Sequence, residues 1–147
     1  MFADANRQII RTFRQLSSKI TFREYDLDHD LAKKWNVTLS PTLMIAPETY
    51  SIRWIGGPVG EEGRTFLETL MLVGMGKSNL SEQSKNVISK IDSPRHIKVF
   101  VSPSCPYCPQ QAVNAVKAAI ERPDMISLEI VDIQCKPEIA QKYNAHA

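Results

Sequence analysis

The sequence predicts an α/β protein built on a mixed sheet, and three observations predict it. The stretch Ile97–Ala119, IKVFVSPSCPYCPQQAVNAVKAA, reads as strand, tight loop, Cys-Pro-Tyr-Cys and helix. Apolar runs of strand length alternate with amphipathic helical stretches along the chain. Two segments of the first half recur in the second.

Taken in order, Ala3–Leu16 has an apolar stripe of Ile9, Ile10, Phe13 and Leu16 at helical spacing. Ile20–Leu27, ITFREYDL, alternates apolar and polar residues and predicts a strand. Asp30 is placed to cap a short helix, LAKKWNV. Thr42–Ala46 and Tyr50–Ile55 are two adjacent strand runs around a turn at Pro47 and Glu48, which is a hairpin pattern. Gly56, Gly57, Pro58 and Gly60 form a turn cluster without the GKS/T of a phosphate loop. Glu61–Val73 predicts a helix with Phe66, Leu67, Leu70 and Val73 inward, ended by Gly74 and Gly76.

The stretch Lys77–Arg95 is polar, yet Leu80, Val87, Ile88 and Ile91 predict a linking helix within it. Ile97–Val101 is a short β-branched strand closed by Pro103. A helix follows over Gln110–Ile120, with Val113, Val116 and Ile120 on one face, and Arg122-Pro123-Asp124 breaks it. Ile126–Ile133, ISLEIVDI, is the next strand, and Pro137 opens a last short helix, PEIAQKYNA.

Composition bounds the function. The chain has 147 residues, a formal net charge of +2, 43% hydrophobic and 23% charged residues. That is a globular composition with no electrostatic footprint for nucleic acid or an anionic membrane. Three cysteines are too few and odd in number for a disulfide scaffold. Met1–Ile10 is too polar for a signal peptide, and no apolar run is long enough to span a bilayer. A cytoplasmic, reducing setting is the expectation.

The Cys-Pro-Tyr-Cys motif carries the chemistry. Cys105 is expected where a first helical turn begins, so unpaired backbone N–H groups would favour its thiolate. Cys108 lies one turn on, within reach of a small disulfide ring. Pro106 and Pro109 fit a first turn, where no intrahelical N–H bond is lost. A zinc site is the rival reading, but structural zinc needs four ligands, and only Cys135, His29, His96 and His146 remain, with no second paired spacing. Two inert cysteines are the other rival. Cys135 reads as a structural or incidental thiol, the histidines as surface or turn residues, Trp35, Tyr143 and Trp54 as packing, and Tyr107 equally as a surface aromatic or a neighbour of the active turn.

The repeat sets the domain organisation. ITFREYDL matches ISLEIVDI with Asp26 on Asp132, and LAKKWNV matches IAQKYNA with Trp35 on Tyr143. The expected units are 1–76, without a CxxC and without its opening strand; a linking helix in 77–95; and 96–147, with the CPYC but without a counterpart of Ser40-Pro41-Thr42, the hairpin and the helix after it. Each unit reads as incomplete, so the chain is expected to be a piece of a longer polypeptide. The halves would complement one another within a chain or, by swapping, in a homodimer.

The segment VFVSPSCPYCPQQAV, with the β-α-β-α-β-β-α order, resembles the thioredoxin/glutaredoxin fold. Two fused units resemble the tandem-thioredoxin protein disulfide oxidoreductases, and equally the N-terminal domain of the alkyl hydroperoxide reductase flavoprotein. That resemblance implies a thiol–disulfide oxidoreductase with Cys105 attacking and Cys108 resolving, Pro106 and Tyr107 supporting the active turn, and Pro41 as the cis-proline of the first unit. It implies no bound cofactor and no metal: the group that reacts is a Cys105–Cys108 disulfide, and FAD or NADPH would act only through a partner or a further C-terminal region. The implied partners are protein disulfides, a peroxiredoxin and a flavin reductase. The rival is a non-catalytic docking module.

Overall fold

The computed structural model describes residues 1–146. Its elements are α1 (Phe2–Leu16), α2 (Asp30–Lys34), β1 (Thr42–Ile45), β2 (Ile52–Ile55), α3 (Glu62–Met75), α4 (Glu82–Ser89), β3 (Arg95–Val101), α5 (Cys108–Glu121), β4 (Ile126–Asp132) and α6 (Pro137–Lys142). One mixed sheet runs β1-β2-β4-β3. The β1–β2 hairpin is antiparallel, with Thr42 opposite Ile55. β2 then pairs in parallel with β4, and β4 in parallel with β3. The first half thus contributes a hairpin, and the second half two strands, to a single sheet.

Strand alternation divides that sheet into two unlike faces. Ile52, Trp54, Leu128, Ile130 and Val101 point into a core that Ile10 of α1, Phe66 and Leu72 of α3, and Ala112, Val116 and Ala119 of α5 complete. Trp54, Val116 and Ile130 are fully buried. The T-shaped Trp54–Phe66 and Phe13–Phe66 pairs stack through the same layer, with ring centroids 6.0 and 4.9 Å apart. The other face is mixed, with Ile55, Val131 and Phe100 beside Arg53, Lys98 and Glu129. Arg53 on β2 reaches across it to the carbonyls of Trp35 and Asn36 at the end of α2. On β3, Phe100 packs against Tyr143 beyond α6.

The termini of the helices follow local chemistry. Ser81 caps α4, its hydroxyl accepting from the Ser84 N–H at 3.1 Å. Gly76 ends α3 in the left-handed region that glycine adopts without steric cost. α2 departs from expectation: His29, not Asp30, is its N-cap, with Nδ1 accepting from the Leu31 N–H at 3.1 Å.

Four packing expectations also change. Ile20–Leu27 is not a strand; it runs without ladder partners, because strand propensity alone supplies no neighbour to bond. Leu67 on α3 is exposed, and Thr65, Thr69 and Leu72 are buried instead, which rotates the inward face. Leu70 and Val73 do pack against the core. Tyr143 is 53% exposed, since α6 lies over the edge strand rather than the middle of the sheet. Trp35 is half-buried, and its ring carries the Lys34 ammonium at 4.7 Å.

Candidate functional site

Parallel strands deliver their C-terminal ends to one edge of the sheet, and β3 ends there in Val101. The chain turns through Ser102-Pro103-Ser104, with the Cys105 N–H donating to the Ser102 carbonyl at 3.1 Å. Cys105 and Cys108 are disulfide-bonded, their Cα atoms 5.5 Å apart. The helix starts later than the sequence suggests. Tyr107 is its N-cap and Cys108 its first residue, so Cys105 precedes α5 instead of opening it. The disulfide nevertheless holds the Cys105 sulfur against that first residue, where backbone N–H groups lack helical partners. Cys108 packs against the core cluster. Tyr107 stands 82% exposed beside the pair, and Pro106 is exposed as well.

The wall behind this loop comes from the first half of the chain. The Glu61 N–H donates to the Pro103 carbonyl at 2.9 Å, and the Thr65 hydroxyl reaches the Pro109 carbonyl at 3.5 Å. The N-terminal turn of α3 therefore touches the chain on both sides of the CPYC. Gly60, at φ 66°, fits because a Cβ there would lie 2.3 Å from the Pro103 oxygen. Gly57 makes the corresponding fit to α1: a Cβ would fall 1.7 Å from the Asn6 Oδ1. Asn6 in turn donates to the Gly56 carbonyl at 3.2 Å.

Glu62 sits in this wall and was not singled out in the sequence. It is 1% exposed, and neither carboxylate oxygen has a hydrogen-bond partner among the described residues. Burial, with a smaller contribution from Asp132, pushes its carboxyl up to about 7 against the opposing pull of Thr65, Trp54 and Arg64. The Trp54 indole N–H also lacks a partner, so it lies near the carboxylate without an aligned bond. Asp132, at the end of β4, is also buried; burial raises its carboxyl, while the Gln134 and Cys135 N–H groups donate to its Oδ1 and pull it back.

Pro41 has the cis peptide bond expected of it. Its carbonyl accepts from the Gly56 N–H at 2.9 Å, and Gly56 packs against Asp132 and Cys135. Among the described residues Pro41 makes no hydrogen bond to the CPYC loop. Cys135 is free and half-buried, and burial raises its thiol, which suits a packing thiol better than a nucleophile. His96 bonds Ser127 across β3 and β4 and lies 3.4 Å from Glu129. Among the described residues no group of three or more His, Cys, Asp and Glu is placed to hold a metal.

With this geometry in view, the comparisons with known proteins fall into place. The family model of the thioredoxin domain matches residues 95–147. Thioredoxin from Methanocaldococcus jannaschii is 33% identical over 51 residues, covering 35% of this chain and 60% of that protein. A protein disulfide oxidoreductase from Aeropyrum pernix superposes with a TM-score of 0.78 at 25% identity, over 96% of this chain and 66% of that one. The alkylhydroperoxide reductase AhpF of Enterococcus faecalis superposes at 0.81 and 25% identity, over 95% of this chain and 68% of that one. Its N-terminal domain, solved separately, superposes at 0.82 and 24% identity, over 97% and 70%. The chain has a thioredoxin-like α/β fold with a disulfide-bonded CxxC, and it spans 60% of the archaeal thioredoxin and 66% of the oxidoreductase.

Proposed function

We propose that this chain is a thiol–disulfide oxidoreductase acting on protein disulfides through Cys105 and Cys108. The observation that carries the reading is the bonded pair at the entry to α5, with one sulfur on the outer loop and the other packed on the core. In the reduced protein the Cys105 thiolate attacks one sulfur of a substrate disulfide. A Cys105–substrate bond forms, the substrate S–S bond breaks, and the other substrate sulfur leaves as thiolate. Cys108 then releases its proton to solvent and attacks the Cys105 sulfur. The second substrate thiolate is released, two electrons have passed to the substrate, and the chain is left with the Cys105–Cys108 disulfide. Pro106 and Tyr107 shape the turn, and Pro41 braces the Gly56 turn.

Two units organise this reading: 1–76, without cysteines, supplies the Glu62 wall, and 96–147 supplies the dithiol, with 77–95 linking them. The setting is cytoplasmic and reducing. Likeness to the alkylhydroperoxide reductase AhpF favours a second reading, in which the dithiol relays electrons from a flavin reductase to a peroxiredoxin. Both readings share the chemistry of Cys105.

Insulin reduction by dithiothreitol tests it. The parent accelerates the reaction, and Cys105→Ser returns it to the uncatalysed rate. Equal rates for the two proteins would overturn the proposal and leave a docking module.

A further inference from the structure

The outer side of α3 carries bulk and gaps that the packing of a single chain does not use. Gly63, Leu67, Met71 and Met75 recur every four residues and form one ridge along the helix. Leu67, Met71 and Met75 are 45%, 58% and 52% exposed. On the inner side Phe66 meets Phe13 of α1, and Thr65 meets Pro109 of α5. α3 therefore lies between those two helices, and its ridge faces away from both and from the sheet. Gly63 belongs to the ridge, and Gly74 borders it three residues after Met71. Neither has a positive φ, and a Cβ on either would meet nothing within 4 Å among the described residues. Glycine within a helix costs up to about 1 kcal/mol relative to alanine. Nothing inside the chain fills the space the two glycines leave.

We infer that this ridge is a contact between two copies of the chain, α3 packed antiparallel on α3 about a two-fold axis at the level of Thr69. Size complementarity selects the occupant. In this register Leu67 of each copy faces Met71 of the other, and Met75 faces Gly63. Arg64, whose guanidinium is held by Glu61, faces Gly74. Each long side chain thus meets either a partner of similar size or the gap left by a glycine. One patch supplies both halves of every pair, as a two-fold contact requires. Sliding one helix by a turn in either direction carries Gly63 or Met75 past the facing end of α3 and loses that pair. Parallel packing sets methionine on methionine, glycine on glycine and Arg64 on Arg64. The ridge itself carries no charge, so it offers nothing to a partner recognised by charge. Glu68 falls at the rim, offset by Arg64 one turn back on its own helix. A contact of a few helical turns is small, below about 1,200 Å² in total, so the dimer is weak and reversible. No cysteine takes part, and the inference stands or falls apart from the function proposed above.

Light scattering of the full chain reads this as mass against concentration. Between about 10 µM and about 1 mM the mean mass should climb from one chain toward two. Added salt should not reverse the climb, because no ion pair closes the contact. Met71→Lys should weaken the dimer at least about tenfold. Gly63→Leu combined with Gly74→Leu should weaken it as much, by filling both gaps. The same double variant should resist urea at least as well as the parent at low concentration, since leucine favours a helix more than glycine does. Those opposite effects separate a contact between copies from a packing role within one. A parent that stays at the mass of one chain throughout, or a double variant that dimerises as the parent does, would overturn the inference.

Discussion

Ile20–Leu27 and Ile126–Asp132 carry one sequence pattern, and only the second is a strand. In β4, Ile126, Leu128 and Ile130 are buried to 3% exposure or less between two neighbouring strands. In the first copy the equivalent Ile20 and Phe22 are half-buried and the residues after them exposed. The same alternation gives a central strand where both edges find partners and an extended surface segment where neither does. Alternation therefore encodes which face would be buried, and neighbours decide whether a strand forms at all.

The contrast extends to chemistry. The second copy holds the dithiol, and the first holds none. What the first contributes is the wall behind the CPYC loop: Gly60 and Glu61 against Pro103, Thr65 against Pro109, and Glu62 between them. A half without cysteines thus supplies a buried carboxyl whose burial pushes it up to about 7.

Truncating the equivalent residues of the two copies should break the comparison most clearly. Leu128→Ala leaves a cavity between α5 and the sheet and should destabilise the fold by about 4 kcal/mol, whereas Phe22→Ala, at the half-buried position, should cost about 1 kcal/mol. Urea unfolding of both variants measures this. Equal losses would mean that the first copy is packed as tightly as the second.

The next effect concerns Glu62. Its folded value near 7 lies above the ordinary 4.5, so the folded state holds the proton over a range where the unfolded chain has released it. Stability should be greatest below about 4.5 and fall as pH rises through about 7, by on the order of 3 kcal/mol. Asp132, also raised, acts in the same direction. Glu129 acts oppositely: burial works against it, but Lys98 and His96 hold its carboxyl below the ordinary value. Glu62→Gln should flatten the fall between pH 5 and pH 8, as read from unfolding curves across that range. An unchanged slope would mean that Glu62 is not the group responsible.

Much of this was legible in the residues themselves. The strand–CPYC–helix unit, the hairpin and the Val113–Val116–Ile120 face all rest on local periodicity and spacing, which sequence states directly. The misses needed tertiary context. Leu67 and Leu72 fit a helical stripe equally well by hydrophobicity, and only the placement of α3 against α5 chooses between them. His29 caps α2 because its ring nitrogen happens to face the Leu31 N–H, a choice Asp30 could have made on composition alone. Glu62 carries no signal of its own in the sequence, because residues that act on it, Trp54 and Asp132 among them, are remote in the chain.

The most direct test of the account is the ionisation of Cys105 in the reduced protein, followed by its alkylation rate against pH. The helix-entry position predicts a thiol well below the ~8.5 of a free cysteine. A Cys105 that ionises like a free thiol would contradict it.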